Sequence, residues 1–360
     1  MIDPGYGSGG QALIGGSLLD AQPVAVHLAP DGALMALAFG RTSGGAYRYG
    51  LTRYTLDGQP DPSFGVNGTV VFDEGDLPSL ILSDFVADAD GAVTLVGGAW
   101  LTPDGFENPQ QVIAVLRLQA DGARDTAFAN AGALTLAIAG EAYGHAIVAT
   151  VGGWVIGGWA APSDGLNGPG VLARFDDAGL LDPTFGDDGI ATYGSVFSPE
   201  INAITLDSLW PLPDGHLMGY GTTDAGESLL WRWLNSGVRD TTFGEGGEKW
   251  IHTFDENTLV PFGPDGGFFR VRQDRDGEDH RFVEIEAYAP DGLPRPTWGT
   301  NGALQYFIGD DQMLVDALVH PDGTLYVLTG PDPALQPDLE ATLATTMPQL
   351  FHIGADGALD

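Results

Sequence analysis

One short stretch that recurs six times constrains the fold of this 360-residue chain more than any other feature. Its clearest copy reads Asp-Pro-Thr-Phe-Gly-Asp-Asp-Gly and runs from Asp182 to Gly189. The aromatic position of this motif returns about every 60 residues, at Tyr6, Phe64, Phe128, Phe185, Phe243 and Trp298. A fixed period of this size is typical of a repeat architecture, in which each repeat is one supersecondary unit.

Each period also contains a second turn signal between two apolar segments. The six copies of this signal are Asp31-Gly32, Asp90-Gly91, Gly152-Gly153, Asp214-Gly215, Asp265-Gly266 and Asp322-Gly323. Asp-Gly between apolar segments is a strong hairpin signal. A third apolar segment precedes each motif and a short fourth one follows it, so each period predicts a four-stranded antiparallel meander. The stretch 338–346 is the one weak helix candidate.

Four-stranded units that repeat radially are the blades of a β-propeller. The predicted fold is therefore all-β, a six-bladed propeller in a single domain over residues 1–360, with blades that start near residues 20, 79, 141, 200, 255 and 311. By repeat alignment Asp360 is equivalent to Asp3. We therefore expect residues 1–16 to complete the sixth blade, with the segment 11–15 as its fourth strand, and so to cover the edge that the last repeat leaves open.

The formal net charge is −35, and Lys249 is the single lysine. Such a surface repels phosphate backbones, so a nucleic acid is not expected as a partner. The sequence contains no apolar run of the length that crosses a bilayer, so no membrane span is expected. The acidic surface favours solubility and attracts cations.

The extended pattern Arg-Tyr/Phe-x-x-x-Gly-x-x-Asp-Pro-Ser/Thr-Phe-Gly-x-x-Gly is clearest from Arg53 to Gly68 and from Arg174 to Gly189. It resembles the delta-sixty repeat of bacterial secreted and surface proteins, and the resemblance covers essentially the whole chain. It implies a propeller-like fold and an exported location, either secreted, periplasmic or on the cell surface of a bacterium. It implies no reaction. Two copies depart from the pattern, since Ala129 replaces the usual glycine and Arg295 replaces the aspartate.

In four repeats an arginine on the third strand stands eight residues before the aspartate that opens the motif. These combinations are Arg53 with Asp61, Arg117 with Asp125, Arg174 with Asp182 and Arg232 with Asp240. The fifth repeat has lost both members, having Ala287 and Arg295 instead. An arginine inside a stack of blades needs a partner, so the sequence predicts structural ion pairs at these positions.

The loops opposite the glycine-rich turns vary most between repeats, and functional residues concentrate on such loops. Candidate ligand-binding residues on this variable-loop face are Trp100, Phe106, Trp159, Tyr143 and His145. Aromatic rings here can stack on a sugar or a peptide, although each ring taken singly is also compatible with packing between blades.

Four carboxylates at or next to the starts of the innermost strands are candidate metal ligands: Asp20, Glu141, Asp255 and Asp311. At the mouth of a central channel they would repel one another unless water, salt or a cation screens them. Calcium is the natural candidate, because it takes oxygen ligands and tolerates irregular geometry.

No motif in the sequence indicates an enzyme, since the histidines lack metal-ligand spacing and no Gly-x-Ser-x-Gly elbow is present. The leading interpretation is an exported binding or scaffold module that recognises a protein or carbohydrate on the variable-loop face. We expect it to be monomeric or part of a larger polypeptide. The alternative is a hydrolase or lactonase-type enzyme with a cation-dependent site at the channel mouth, because a propeller fold by itself does not decide function.

Overall fold

Every regular element that the structure describes is a β-strand. The structure is a computed structural model, and it describes residues 16–72, 79–101, 110–138, 140–161, 168–194, 204–223, 227–253, 258–259, 263, 265–276, 280–310, 312–320, 323–331 and 349–358. Within these ranges no helix has the length and apolar character needed to cross a membrane. The helix candidate 338–346 and the closing segment 11–15 lie outside the described residues.

The strands follow one another as antiparallel meanders in six sheets. The first sheet contains β1 (Leu19–Leu28), β2 (Leu34–Arg41), β3 (Tyr47–Tyr54) and β4 (Thr69–Val71). The second contains β5 (Ile81–Ala87), β6 (Val93–Leu101), β7 (Gln110–Leu118) and β8 (Ala133–Leu136). The third contains β9 (Glu141–Thr150), β10 (Gly153–Ala161), β11 (Gly170–Asp176) and β12 (Ile190–Tyr193).

The later sheets repeat this order. The fourth contains β13 (Ile204–Pro211), β14 (Leu217–Thr223), β15 (Glu227–Trp233) and β16 (Glu248–Thr253). The fifth contains β17 (Thr258–Leu259), β18 (Phe268–Arg275), β19 (Arg281–Tyr288) and β20 (Ala303–Phe307). The sixth contains β21 (Gln312–Val319), β22 (Leu325–Pro331) and β23 (Gln349–Ile353), which makes three strands among the described residues. The predicted meander of four strands per repeat is therefore confirmed in five sheets.

The hairpin turns between the first and second strands need a residue with positive φ, and glycine supplies it. Gly32 and Gly215 have φ of 85° and 84°. In the third sheet the equivalent residue is Gly152, with φ of 83°, and Thr150 pairs with Gly153. The alignment of Gly152-Gly153 with Asp31-Gly32 was thus wrong by one residue, because a shorter turn there is built from Val151 and Gly152.

Contacts divide the chain into two compact units. The first unit comprises Met1–Pro211, Leu217–Ala225 and Leu234–Val238, and the second comprises Leu212–His216, Gly226–Trp233 and Arg239–Asp360. In the first unit, one buried cluster joins the first and second sheets through residues such as Leu37, Phe64 and Leu95. In the second unit, a separate cluster contains Val271, Trp298 and Val327.

The middle strands of a sheet are covered on both faces, and their sequences reflect this. All of β7 after its first residue is buried, as are the first seven residues of β6. A strand buried on both faces reads as a continuous apolar run instead of alternating with polar residues. This is the pattern of Val112 to Leu116 and, apart from the buried Thr94, of Val93 to Ala99.

Candidate functional site

The structure brings together all four predicted arginine–aspartate combinations. The distance from the guanidinium Nε to the aspartate Oδ2 is 2.9 Å for Arg53–Asp61, 3.3 Å for Arg117–Asp125, 3.4 Å for Arg174–Asp182 and 3.1 Å for Arg232–Asp240. Each aspartate also accepts the backbone N–H two residues further on. Each aspartate is therefore paired inside its repeat with an arginine and a backbone N–H, and these contacts fasten the motif to the third strand.

The same arginines reach beyond the motif. Arg232 Nη2 lies 2.7 Å from Asp214 of the hairpin turn, and its Nη1 donates a hydrogen bond of 2.7 Å to the carbonyl of Pro290 in the next repeat. Arg117 contacts Asp88 at 3.1 Å and the carbonyl of Asp177 at 3.4 Å in the same manner. One guanidinium thus holds two turns of its own repeat against the turn that follows.

The fifth repeat keeps this link by a different route. Arg295, which stands where other repeats have the aspartate, directs its Nη2 to Asp265 of the hairpin turn at 2.6 Å. Its Nε donates to the carbonyl of Tyr288 at 3.0 Å. In the fifth repeat the positive charge comes from the motif position instead of the third strand. Asp265 of the hairpin turn therefore has a cationic partner although this repeat lacks the strand arginine and the motif aspartate.

The motif also carries a contact that couples each repeat to the next, which we call the latch. The amide after the buried aromatic residue donates to a turn carbonyl of the following repeat: Gly65 to Asp121, Ala129 to Ala178, Gly186 to Ser236, Gly244 to Asp291 and Gly299 to Asp356, at 2.8 to 3.2 Å. The aromatic ring packs under that same turn. A Cβ atom added to Gly237, which belongs to such a turn, would lie 2.8 Å from the ring of Phe185. In its five described copies the motif therefore serves packing between repeats, and the functional residues must be sought elsewhere.

Three of the candidate ligand-binding residues form one group on the third sheet. The rings of Tyr143 and Trp159 stack with centroids 6.5 Å apart, and Tyr143 meets His145 edge-on at 4.7 Å. The Tyr143 ring occupies the space above Gly98, where an added Cβ would lie 2.4 Å from it. Trp100 is half-buried in β6, and Phe106 lies outside the described residues.

The candidate metal ligands are only partly described. Asp20 is exposed and its Oδ2 lies 3.1 Å from Nη2 of Arg41, while Glu141 begins β9 and pairs with Ala161. Asp255 and Asp311 lie outside the described residues. In the ranges that are described, no three His, Asp or Glu side chains converge as a metal centre would require. The calcium site remains a prediction.

A cavity of 510 Å³ lies within the first unit, where the first strands of four consecutive sheets meet. Its walls come from β1, β5, β9 and β13, and they include Val24 and Val26 at one side and Leu209 and Trp210 at the other. Val24 and Val26 are 36% and 45% exposed, so the cavity presents apolar surface to solvent. We call this the first-strand cavity.

Each of the four strands has one register shift that delivers an extra residue to this cavity, and β1 has a second shift, between Leu19 and Gln22, that does not. The extra residues in the cavity are Val24, Ser83, His145 and Asp207. All four line the first-strand cavity. A bulge inserts one residue into a strand and re-aims its side chain, and bulges of this kind are frequent next to active sites.

One polar pair on the cavity wall is an imidazole held by a carboxylate. His27 Nε2 lies 2.6 Å from Asp84 Oδ1, and Asp84 Oδ2 accepts the backbone N–H of Ile147 at 3.1 Å. The His27 side chain is 45% exposed and Asp84 is 17% exposed. Next to this pair the Ser83 and Tyr143 hydroxyls lie 2.6 Å apart, which connects the cavity to the aromatic group of the third sheet.

Two further side chains in the cavity have pKa values that are shifted from their ordinary values. Asp207 keeps access to solvent because it faces the cavity, yet the walls replace much of the bulk water around it, and this desolvation raises the pKa of its carboxyl to about 6. The Thr222 hydroxyl, 3.4 Å from Asp207 Oδ2, opposes the rise only in part. Burial lowers the pKa of the His145 imidazole to about 4, so this ring is neutral at pH 7. Displaced pKa values that cluster in a cleft are a feature of functional sites.

The sequence analysis selected His145, which lines this cavity, and Tyr143, which lies beside it. It missed the cavity residues His27, Ser83, Asp84 and Asp207. A signal was present in the first strands. Ser83 and Asp84 interrupt an apolar run between Leu82 and Phe85, and Asp207 does so between Leu206 and Leu209. A carboxylate in an innermost strand is costly unless it is paired or faces water.

Comparisons with known proteins agree with this architecture. Residues 29–64 and 89–128 match the family described as "Domain of unknown function (DUF5122) beta-propeller". The first and second repeats thus match a β-propeller family. The two matched segments run from the hairpin turn to the aromatic residue of the motif in these repeats. No curated protein matches the sequence of the chain.

Solved structures with a similar arrangement are distant in sequence. A protein of unknown function from Dyadobacter fermentans shares 12% identity, with a TM-score of 0.49 over 89% of this chain and 93% of that one. The β-propeller domain of the Trilobed protease from Pyrococcus furiosus shares 8% identity, with a TM-score of 0.43 over 94% of this chain and 84% of that one. A glucose dehydrogenase shares 15% identity, with a TM-score of 0.46 over 94% of this chain and 99% of that one. At these values the functions of those proteins carry no argument for this propeller.

Proposed function

We propose that this propeller is a binding module that takes a small organic ligand in the first-strand cavity. The observation that carries the proposal is the set of four bulges, which deliver Val24, Ser83, His145 and Asp207 to one cavity. A single bulge can serve the twist of a sheet. Four bulges that turn one residue each toward the same space favour a role for that space.

The chemistry of the cavity supports this proposal. Ligand sites are concave and largely apolar, with a few convergent polar groups that fix orientation, and volumes of roughly 300 to 1,000 Å³ are usual. The first-strand cavity has 510 Å³, exposed valines on one wall and the polar groups His27, Asp84 and Asp207. The hydroxyl pair of Ser83 and Tyr143 places the stacked rings of Tyr143 and Trp159 next to it, where a sugar ring is a suitable neighbour.

The test fills the cavity with protein. Val26→Trp places a large ring on the cavity wall, and Val151→Trp, at a turn residue that is 95% exposed, is the matched control. Ligand-observed NMR with a panel of small sugars, amines, acids and aromatic alcohols should detect binding to the wild type and to Val151→Trp. Binding should be absent in Val26→Trp. A panel without a binder, or a binder that Val26→Trp does not affect, would contradict the proposal.

A second candidate function is supported by the pair of His27 and Asp84. A carboxylate that accepts the Nε2–H of an imidazole leaves Nδ1 with its lone pair, and a positioned imidazole of this kind acts as a general base. In the hydrolase or lactonase alternative, Nδ1 of His27 takes a proton from a water molecule as that water attacks an ester carbonyl. We expect such an activity, measured on nitrophenyl esters and simple lactones with and without calcium, to fall at least a hundredfold in His27→Gln. Equal rates for the wild type and His27→Gln would rule it out.

The finer architecture is also a proposal. We infer six blades built from delta-sixty repeats, with residues 1–16 completing the sixth. The sixth sheet has three strands in the described part of the chain where the other five have four, which supports a missing fourth strand. Deletion of residues 1–16 should lower the melting temperature and cause aggregation through the bare edge. A deletion variant that melts like the wild type and stays monomeric would contradict closure.

Export and calcium binding complete the proposal. The resemblance to delta-sixty repeats supports a secreted, periplasmic or surface location, which fractionation of a producing bacterium would check. Calcium at the channel mouth, with Asp20 and Asp311 among its ligands, predicts heat on titration of metal-free protein that weakens in Asp20→Asn. No heat and no thermal shift at millimolar calcium would leave these carboxylates as solvated surface groups.

A further inference from the structure

The carboxylates and the neutral imidazole of the first-strand cavity are hydrogen-bond acceptors, beside the hydroxyls of Ser83 and Ser208, which can donate or accept. The carboxylates of Asp84 and Asp207 only accept hydrogen bonds when ionised. His145 is neutral at pH 7, so one of its ring nitrogens also accepts. A ligand that satisfies these groups together must bring several donors.

The charge of the cavity is one-sided. No lysine or arginine stands among the described residues that line it. Asp84 has His27 as its partner, whereas the partner of Asp207 in the described part of the chain is the neutral hydroxyl of Thr222 at 3.4 Å. This sets Asp207 apart from the carboxylates of the motif and of the hairpin turn, since Asp61, Asp214 and Asp240 each contact an arginine.

The remaining walls are apolar. Val24, Val26, Ile147 and Leu209 surround the space that Asp207 faces, and Trp210 contributes an aromatic side chain to the lining. Such a lining accommodates a hydrocarbon body, while the carboxylate requires a positive end. The formal net charge of −35 raises the local concentration of cations around the whole protein.

Resting on the proposed function of this cavity, we propose that its ligand is a small amphipathic organic cation, an ammonium group on an apolar body. The ammonium donates its N–H groups to the Asp207 carboxylate and to the acceptors beside it, and the apolar body lies against the valine wall. A neutral polyol offers no charge for Asp207, and an anion is repelled by both carboxylates.

Binding of such a cation is linked to the ionisation of Asp207. The carboxyl must lose its proton to pair with the ammonium, and its pKa without ligand is about 6. At pH 5 only about a tenth of a group with that pKa is ionised, so affinity should be about tenfold lower than at pH 7.5. His27, Asp84 and His145 also line the cavity, so the pH dependence has to be assigned by substitution.

The experiment compares four probes of one shape by isothermal titration calorimetry at pH 7.5 and pH 5. The probes are benzylamine, benzyltrimethylammonium, benzyl alcohol and phenylacetate. Benzylamine should bind best, benzyltrimethylammonium more weakly because it has charge without N–H donors, and the neutral and anionic probes least. Asp207→Asn should weaken the binding of benzylamine at least tenfold and remove its pH dependence. The pH dependence should survive in His27→Gln and in the exposed control Asp187→Asn.

The outcomes separate this inference from the proposed function. If benzyl alcohol or phenylacetate binds as tightly as benzylamine, and Val26→Trp abolishes that binding, the cavity is a ligand site but the cation assignment is wrong. If benzylamine binds equally to the wild type, Val26→Trp and Asp207→Asn, its attraction is a general effect of the acidic surface and the inference is overturned. If no probe and no member of the wider panel binds, the proposed function fails with it.

Discussion

Of the four arginines that pair with a motif aspartate, Arg232 should destabilise the protein most when its guanidinium is removed. Its side chain is 10% exposed and that of its partner Asp240 is 7% exposed, which makes this the most buried of the four predicted pairs. Arg232→Ala would leave Asp240 without its main cation, Asp214 without its guanidinium, and the carbonyl of Pro290 without its donor.

The expected loss of stability depends on the partners that Asp240 and Asp214 keep in Arg232→Ala. Breaking a buried ion pair from one side costs roughly 3 to 5 kcal/mol. Asp240 keeps the N–H and hydroxyl of Thr242 at 3.1 and 2.6 Å, His216 stays 3.9 Å from it, and Asp214 is 45% exposed and can rehydrate. These residual partners place Arg232→Ala at the lower end, about 3 kcal/mol.

Urea denaturation followed by tryptophan fluorescence measures this loss without adding salt. The double variant Arg232→Ala/Asp240→Ala should recover about 1 kcal/mol or more, because the stranded carboxylate is gone. Arg174→Ala is the matched comparison, and its loss should be smaller, since Asp182 is 25% exposed and the Nε–Oδ2 distance is 3.4 Å. A loss below about 0.5 kcal/mol for Arg232→Ala, or strictly additive single substitutions, would refute the reasoning.

Lowering the pH should reduce the difference in unfolding free energy between the wild type and Arg232→Ala. Burial alone would raise the pKa of Asp240, but the hydrogen bonds from Thr242 and the charge of Arg232 outweigh it and hold the pKa below its ordinary value. A depressed pKa stabilises the fold above the ordinary value, and this contribution is lost as pH falls through the folded-state pKa. The difference in unfolding free energy should therefore shrink below about pH 4, and a constant difference down to pH 2 would contradict this.

Three further substitutions test other parts of the structure. Phe243→Ala, at a fully buried motif position, should cost about 3 to 5 kcal/mol in urea unfolding, whereas Leu180→Ala at 66% exposure should cost less than about 0.5 kcal/mol. Gly237→Ala should destabilise more than Gly45→Ala; both residues have positive φ, but an added Cβ at Gly237 meets the Phe185 ring at 2.8 Å and one at Gly45 meets nothing within 4 Å. Asp207→Asn should flatten the pH dependence of the unfolding free energy. The pKa of the Asp207 carboxyl is raised to about 6 in the folded state, so this group stabilises the fold below its ordinary pKa of 3.8. That contribution is lost as the pH rises through 6. Solvent access to Asp207 keeps the effect small, and parallel stability curves from pH 4 to 7.5 would refute it.

The fold was readable from the sequence because its signals are local and repeated. Asp-Gly turns and the motif mark strand ends, so the strand order inside each sheet followed directly. The fifth repeat shows where this reasoning ends, because the loss of Asp and of the strand arginine gave no hint that Arg295 would reach Asp265 from the motif position. That contact depends on the proximity of two turns that are 30 residues apart.

The cavity was not readable for a related reason. Strand reasoning assigns faces by alternation, and one extra residue in a strand reverses that assignment. Ser83 and Asp207 stand out in a single sequence as polar residues in otherwise apolar strands, but the sequence does not show that they and His145 are the extra residues of their strands. Only the pairing with the second strand of each sheet shows which residue is extra.

The latch has a direction, and this bears on how the chain folds as it is synthesised. The amide of Gly65 has its acceptor at Asp121, and that of Gly186 at Ser236, always in the repeat that leaves the ribosome later. A nascent repeat therefore ends with a bare amide and an uncovered aromatic ring until about 60 more residues have emerged. Each new repeat completes its predecessor, so a stalled or truncated chain exposes one apolar end wherever synthesis stops. Such a chain should be bound by chaperones at its last motif, which makes that motif the place to look for quality control of unfinished propellers.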